Sequence, residues 1–228
     1  MHYPNVTSAV FLSRPNRFVA QVLLEGEVIT VHVKNTGRCR ELLLPGAQVW
    51  LTKSTNPNRK TAYDLIAVQK GARLINMDAQ APNQVFYEWA AAGHFVPQLT
   101  LLKPECRHGD SRFDFYWEAG PRKGFVEVKG VTLERDGAAY FPDAPTQRGI
   151  KHLHGLTDSL AQGYEGAVCF VIQMEQADFF APNDHPHPAF GQALRQAAQA
   201  GVAVLARCCT VTPDSLTLGE AVPVRLSP

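Results

Sequence analysis

The chain has 228 residues, 45% hydrophobic and 19% charged, with a net charge of +1; this excludes a disordered or fibrous chain and leaves enough length for one large core or two small ones. No apolar run approaches the roughly 20 residues that cross a bilayer. The start, MHYPNVTSAVFLSRPNRF, has no basic leader with a cleavage site, so a cytoplasmic protein without a membrane partner is expected.

The first third reads as all-β. FVAQVLLEG, EVITVHVKN, AQVWLTK and TAYDLIAVQKGARLINMD are β-rich segments separated by Gly, Asn and Pro, with Gly26-Glu27 able to turn a hairpin. About five strands in this length suit a small barrel or sandwich. Arg14 and Arg17 flank Pro15, and Arg38 and Arg40 sit in the loop NTGRCRELLLPGA, where the four could form a phosphate-binding edge. At APNQVFYEWAAAG the pattern changes to helix, with Pro82 at its start and Gly93 at its end. A boundary is therefore expected near 81, giving units 1–81 and 82–228.

Beyond it the spacing predicts a short strand over 98–103, a strand SRFDFYW, a turn EAGPRKG, a strand FVEVKGVTL and a loop DGAAYFPDAP. A helix over about 146–162, a strand GAVCFVIQM, a His- and Pro-rich loop, a helix AFGQALRQAAQAG and a strand VAVLARC follow. Strands mixed with helices in this order imply an α+β or α/β unit, a mixed sheet with flanking helices.

Charge is unevenly divided. Residues 1–80 carry ten Lys or Arg against five Asp or Glu, and the remainder twelve against sixteen. An anion-binding module beside a carboxylate-rich one fits nucleic acid next to a metal site. Five cysteines (Cys39, Cys106, Cys169, Cys208, Cys209) with no CxxC pair argue against a disulfide framework or a cysteine zinc site.

The chemistry concentrates in one hairpin. Residues i and i+2 of a strand share a face, so Arg112, Asp114 and Tyr116 lie together, as do Phe125, Glu127 and Lys129, and the hairpin brings Asp114 beside Glu127. Two adjacent ionised acids repel unless a cation sits between them. Mg²⁺ or Mn²⁺ held by one or two carboxylates, water and substrate phosphate fits that need, and Lys129 could orient water and stabilise charge on phosphate. On the following helix Ile150, Leu153, Thr157 and Leu160 are expected to pack, with Arg148, Lys151 and His152 on the free basic side and Thr146 as the cap. His152 and His154, two apart on a helix, do not make a zinc pair; His185 and His187 are expected in a solvent-exposed loop.

NTG at 35–37, SRFDF at 111–115, and EVKGVTL followed by YFPDAPTQRGIKHL resemble the sugar fermentation stimulation protein A family, along nearly the whole chain. The resemblance implies an N-terminal oligonucleotide/oligosaccharide-binding (OB) barrel, a C-terminal PD-(D/E)xK (restriction-endonuclease-like) domain and DNA binding. It implies that Asp114, Glu127 and Lys129 are the nuclease motif and that Glu88, on the helix opening the second unit, supplies a further acid, with Asp114, Glu127 and Glu88 holding metal. Asn35, Arg112, Thr146, Arg148 and Lys151 join the four barrel arginines as expected nucleic-acid contacts. There are two departures: SRFDF lacks the motif's proline, and Gly155 stands where a family glutamate commonly follows KHL. The readings are a Mg²⁺-dependent nuclease acting on DNA, with RNA as a further substrate, a non-catalytic DNA-binding regulator of sugar (maltose) genes, and a small-molecule or sugar-binding protein. A homo-oligomer is left open.

Overall fold

A computed structural model describes residues 1–35 and 37–227, so Thr36 of the NTG segment and Pro228 lie outside the described residues. The first unit is built from β1 (Val6–Asn16), β2 (Val19–Leu24), β3 (Glu27–Val33), β4 (Gln48–Lys53), β5 (Tyr63–Lys70) and β6 (Arg73–Asn76). They run in the order β3-β2-β1-β4-β5-β6, and a further pairing of β3 with β5 closes the first five into an OB-like barrel. The β2–β3 turn is at Glu25-Gly26, one residue before the sequence expectation, where both residues take positive φ (51° and 87°), as the tight turn of a right-twisted hairpin demands. Strand β1 escapes a sequence reading because Arg14-Pro15 resembles a break. The strand absorbs the proline through register shifts after Phe11 and Ser13, which bend it around the barrel.

Where β3 meets β5, His32 lies opposite Asp64. The Asp64 carboxylate accepts from His32 Nδ1 at 2.8 Å and from Arg59 at 2.9 and 2.6 Å. Burial pushes the Asp64 carboxyl upward, but the hydrogen bonds from Arg59 and His32 outweigh it and hold it below its ordinary value. A carboxyl with a lower value folded than unfolded contributes stability that is complete above the unfolded value of about 3.9 and vanishes as pH falls through the folded one. Asp64→Asn is therefore expected to lower the melting temperature at neutral pH and to flatten its fall below about pH 5, as calorimetry over that range would show.

The second unit contains α1 (Ala81–Trp89), β7 (Leu99–His108), β8 (Ser111–Ala119), β9 (Arg122–Val131), β10 (Leu133–Arg135), β11 (Ala138–Phe141), α2 (Gln147–Leu160), β12 (Glu165–Ile172), β13 (Phe180–Pro182), α3 (Pro188–Ala200), β14 (Ala203–Thr212) and β15 (Ser215–Ala221). Its main sheet has the order β15-β14-β12-β9-β8-β7. Strand β12 runs parallel to both β9 and β14, and the outer pairs are antiparallel, which makes the sheet mixed. Because β9 lies inside the sheet with helices on either side, its burial shows no alternation over 124–128. One face packs Val126 and Val128 with Val85 and Phe86 of α1; the other packs Phe125 and Phe170 with Leu153 and Leu156 of α2 and Phe190 of α3.

Several elements differ from the sequence expectation. The β8–β9 connection shrinks to Gly120-Pro121, and β7 extends through Pro104, which an edge strand tolerates. The expected loop after β9 holds the β10–β11 hairpin, turned at Asp136-Gly137, both with positive φ. On α2 the buried residues are Gly149, His152, Leu153, Leu156 and Ser159. His152 thus faces inward, not to the free basic side. His187 is also buried, as the cap residue of α3, and accepts from Thr146 N–H through Nδ1 at 3.3 Å. Among the described residues no helix is long and apolar enough to cross a membrane.

A buried polar lock closes the first unit, and Gln173 ties it to the second. Lys34 after β3 donates to Asp78 Oδ2 at 2.7 Å, and Tyr3 O–H donates to the same oxygen at 3.3 Å. Gln173 at the end of β12 donates to Asn76 Oδ1 at 2.9 Å and to the Asp78 carbonyl at 3.0 Å. The barrel thereby sits over the carboxyl ends of the parallel strands, where α/β sheets place their ligands.

Candidate active site

The β8–β9 ladder stops at the pair Phe115 and Val126. One residue further, at Asp114 and Glu127, the strands part, and a side chain fills the gap: Asp114 Oδ2 accepts from Val128 N–H at 2.7 Å. Asp114 Oδ1 accepts from Asn83 of α1 at 2.9 Å. Glu127, only 2% exposed, is held from the other side of the sheet, its Oε1 taking hydrogen bonds from Lys129 Nζ and from Nδ1 of His152 on α2. Glu127 Oε2 is buried and has no partner among the described residues. The forked strands thus present two carboxylates, one lysine, an amide from α1 and an imidazole from α2.

The two acids are driven apart electrostatically. Burial first, and then the charge of Glu127, push the Asp114 carboxyl above its ordinary value. Burial also pushes Glu127 upward, yet the bonds from His152 and Lys129 outweigh it and hold Glu127 below. A divergent acid pair in one site is a pattern of functional clusters. The orphaned Oε2 matters more, because a buried, unpaired carboxylate oxygen costs free energy that a cation would offset. A hard divalent ion needs only one or two carboxylates, taking its other ligands from water and phosphate, so these residues fit Mg²⁺ or Mn²⁺. Among the described residues no group of three His, Cys, Asp or Glu is placed to hold a metal.

Glu88 does not reach this fork. It is exposed on α1, where its carboxylate pairs with the N-terminal ammonium at 2.7 Å and accepts from Gln84 at 2.8 Å. Asn83, in the first turn beside Pro82, makes the contact from α1 instead, because a residue five positions away on a helix points about 140° round the axis. Asn83 carries no sequence signal of its own. His152 did carry one: phasing the α2 stripe on Leu153 and Leu156 places it inside.

The expected nucleic-acid contacts fall into two groups. Arg14 is turned inward, donating to the carbonyls of Arg17, Asn35, Gly37 and Arg38 at 2.6 to 2.9 Å. Asn35 ties Met77 O and Gly37 N–H, and Thr146 Oγ1 caps α2 by accepting from Gly149 N–H at 3.0 Å. These three are occupied in structure. Arg17, Arg38 and Arg40 are exposed and line a pocket of about 410 Å³ with Asn16 and Cys39; the Arg17 guanidinium lies 4.9 Å over the ring of Phe18. On α2, Arg148 and Lys151 are exposed. Arg112 is also exposed and stands 3.8 Å from Glu105 on the edge strand. Gly155 packs against β8, and a Cβ there would lie 2.5 Å from Ser111 Oγ, so a glutamate enters only if Ser111 moves.

Residues 12–77 match the family model described as the SfsA N-terminal OB domain, and residues 80–215 match that of the sugar fermentation stimulation protein RE domain. The chain is similar to the sugar fermentation stimulation protein homologs of Desulfitobacterium hafniense strain Y51 (56% identity over 99% of both chains) and Ruminiclostridium cellulolyticum (50% identity, 99% of this chain and 100% of the other). Its fold is similar to that of Pyrococcus furiosus SfsA, solved in complex with Ca²⁺, with a TM-score of 0.89 at 24% identity over 99% of this chain and 98% of the other. An OB-like barrel, a restriction-endonuclease-like sheet and relatives matched from end to end agree: this chain belongs to the sugar fermentation stimulation protein family.

Proposed function

We propose that the protein is a divalent-metal-dependent nuclease that hydrolyses phosphodiester bonds of DNA, with the barrel gripping the strand and the forked hairpin cutting it. The observation that carries this reading is the buried Glu127 Oε2, partnerless among the described residues, close enough to a second carboxylate that the Glu127 charge joins burial in disfavouring ionised Asp114. Glu127 and Asp114 would hold Mg²⁺ or Mn²⁺, whose bound form supplies Lewis acidity towards the scissile phosphate and a more acidic water. Asn83 fixes the rotamer of Asp114 through Oδ1. Lys129, paired with Glu127 and partly exposed, is the cation that meets negative charge developing on the phosphate. Arg17, Arg38 and Arg40 on the barrel and Arg148 and Lys151 on α2 supply backbone contacts, and Phe18, 48% exposed, offers a base a ring to stack on. The Ca²⁺ that accompanies the Pyrococcus furiosus relative supports a divalent cation here.

The test is incubation of end-labelled single- and double-stranded DNA with Mg²⁺, with Mn²⁺ and with chelator. Cleavage with either metal and none with chelator is expected. The name of the relatives, sugar fermentation stimulation protein, favours a second reading, a DNA-binding regulator of sugar metabolism without catalysis. Binding under every condition with cleavage under none selects it.

A further inference from the structure

The buried histidine of α2 has no part in the nuclease motif, and packing alone does not explain it. His152 is 5% exposed, with Phe113 beside it, in a place where an apolar side chain would satisfy the helix stripe. It spends its Nδ1 on Glu127 Oε1, while its Nε2 is left as an acceptor facing the Nε–H of Arg148, 3.5 Å away. Lys129 holds the same Glu127 oxygen. Two donors on one oxygen fix the carboxylate's rotamer and leave the other oxygen, Oε2, without a donor among the described residues.

We infer that His152 is a positioning residue for the metal centre: its Nδ1–H pins Glu127 so that Oε2 is presented to a divalent cation. The inference rests on the nuclease reading given above. Imidazole and carboxylate are joined in many metal sites so that one orients the other, and here the usual order is reversed, with the carboxylate as ligand and the histidine behind it. Because Lys129 also has phosphate to meet, His152 is the donor that stays on Glu127 when substrate binds. Arg148, on the preceding turn, gives the opposite ring nitrogen a donor and links the exposed face of α2 to the buried carboxylate.

The test measures Mn²⁺ affinity by calorimetry on the intact protein without DNA, beside thermal melting. His152→Leu removes the donor and keeps an apolar filler; His152→Asn restores an N–H at the Nδ1 place, since the Asn amide nitrogen lies the same number of bonds from Cα. With melting near that of the wild type, His152→Leu is expected to weaken Mn²⁺ binding about 10- to 100-fold, and His152→Asn to recover most of that loss. A purely structural histidine predicts no recovery by the smaller asparagine, so equal affinities of the two variants overturn the inference, as does wild-type affinity in His152→Leu. If His152→Leu does not fold, His152→Asn against His152→Gln decides, the longer amide misplacing the donor; equal affinities again overturn it. Glu127→Ala separates the two levels. Undiminished Mn²⁺ binding in that variant defeats the nuclease reading itself, whereas loss of binding there with no effect at His152 defeats only the positioning role.

Discussion

Glu127→Ala is expected to lower Mg²⁺-dependent cleavage by at least on the order of 100-fold while leaving DNA affinity within about twofold. The size follows from how much converges on one carboxylate: Lys129 and His152 both donate to it, and its second oxygen is the unsatisfied atom of the site. Asp114 alone does not replace it: each of its oxygens already accepts one hydrogen bond, from Val128 N–H and Asn83, which leaves a second lone pair for a cation, but its charge is disfavoured by burial. Binding survives because the exposed arginines 17, 38 and 40 line a pocket on the barrel and touch none of these groups. Glu127→Gln keeps the shape and an acceptor but removes the charge. It should fall nearly as far, which separates ligand charge from simple packing. Cleavage kinetics with labelled DNA, set beside fluorescence anisotropy for binding, check both halves, and equal cleavage by wild type and either variant rejects the assignment.

Two parts of the molecule were unequally legible in the sequence. The hairpin acids could be placed because strand periodicity and pairing are local: Asp114 and Glu127 are thirteen residues apart and joined by a short turn, so register alone brings them together. What arrives from elsewhere obeys no such rule. Glu88 and Asn83 both lie on α1, and nothing within that helix says which of its faces meets the sheet; Val85 and Phe86 decide it by packing against Val126 and Val128. His152 looked polar and therefore free. Helix α2, however, is buried along a stripe set by Leu153 and Leu156, and the imidazole enters the core because a carboxylate waits there to pair with it. The arginines show the same division. All four near the barrel loop looked alike, yet Arg14 is the one whose donors meet four backbone carbonyls, a demand created by the loop's curvature. The hairpin at Asp136-Gly137 was within reach, since Asp-Gly between apolar residues is a strong turn signal; the neighbouring Pro142 and Pro145 drew the segment towards a loop.

The polar lock at the end of the first unit carries the largest expected stability effect. Asp78 is 1% exposed, and its charge is met by Lys34 at 2.7 Å, with Tyr3 O–H and Gln80 N–H as further donors. Lys34→Met keeps the aliphatic stem and removes only the ammonium, leaving a buried carboxylate without its cation, a change that costs about 3–5 kcal/mol. Asp78→Asn is expected to cost less on its own, because Lys34, 22% exposed along its side chain, can turn its ammonium into water. Combining the two should recover a large part of the Lys34→Met loss, since no buried charge then remains, and that recovery is the signature of a coupled pair. Urea unfolding with an unchanged slope measures each value; a Lys34→Met loss below about 1 kcal/mol, the level of a surface pair, would refute the lock. The functional consequence follows from chain continuity. Lys34 precedes Asn35, which holds Met77 O and Gly37 N–H, and this loop carries Arg38 and Arg40, so loosening the lock should blur the arginine pocket and weaken DNA binding at conditions where the fold is still intact.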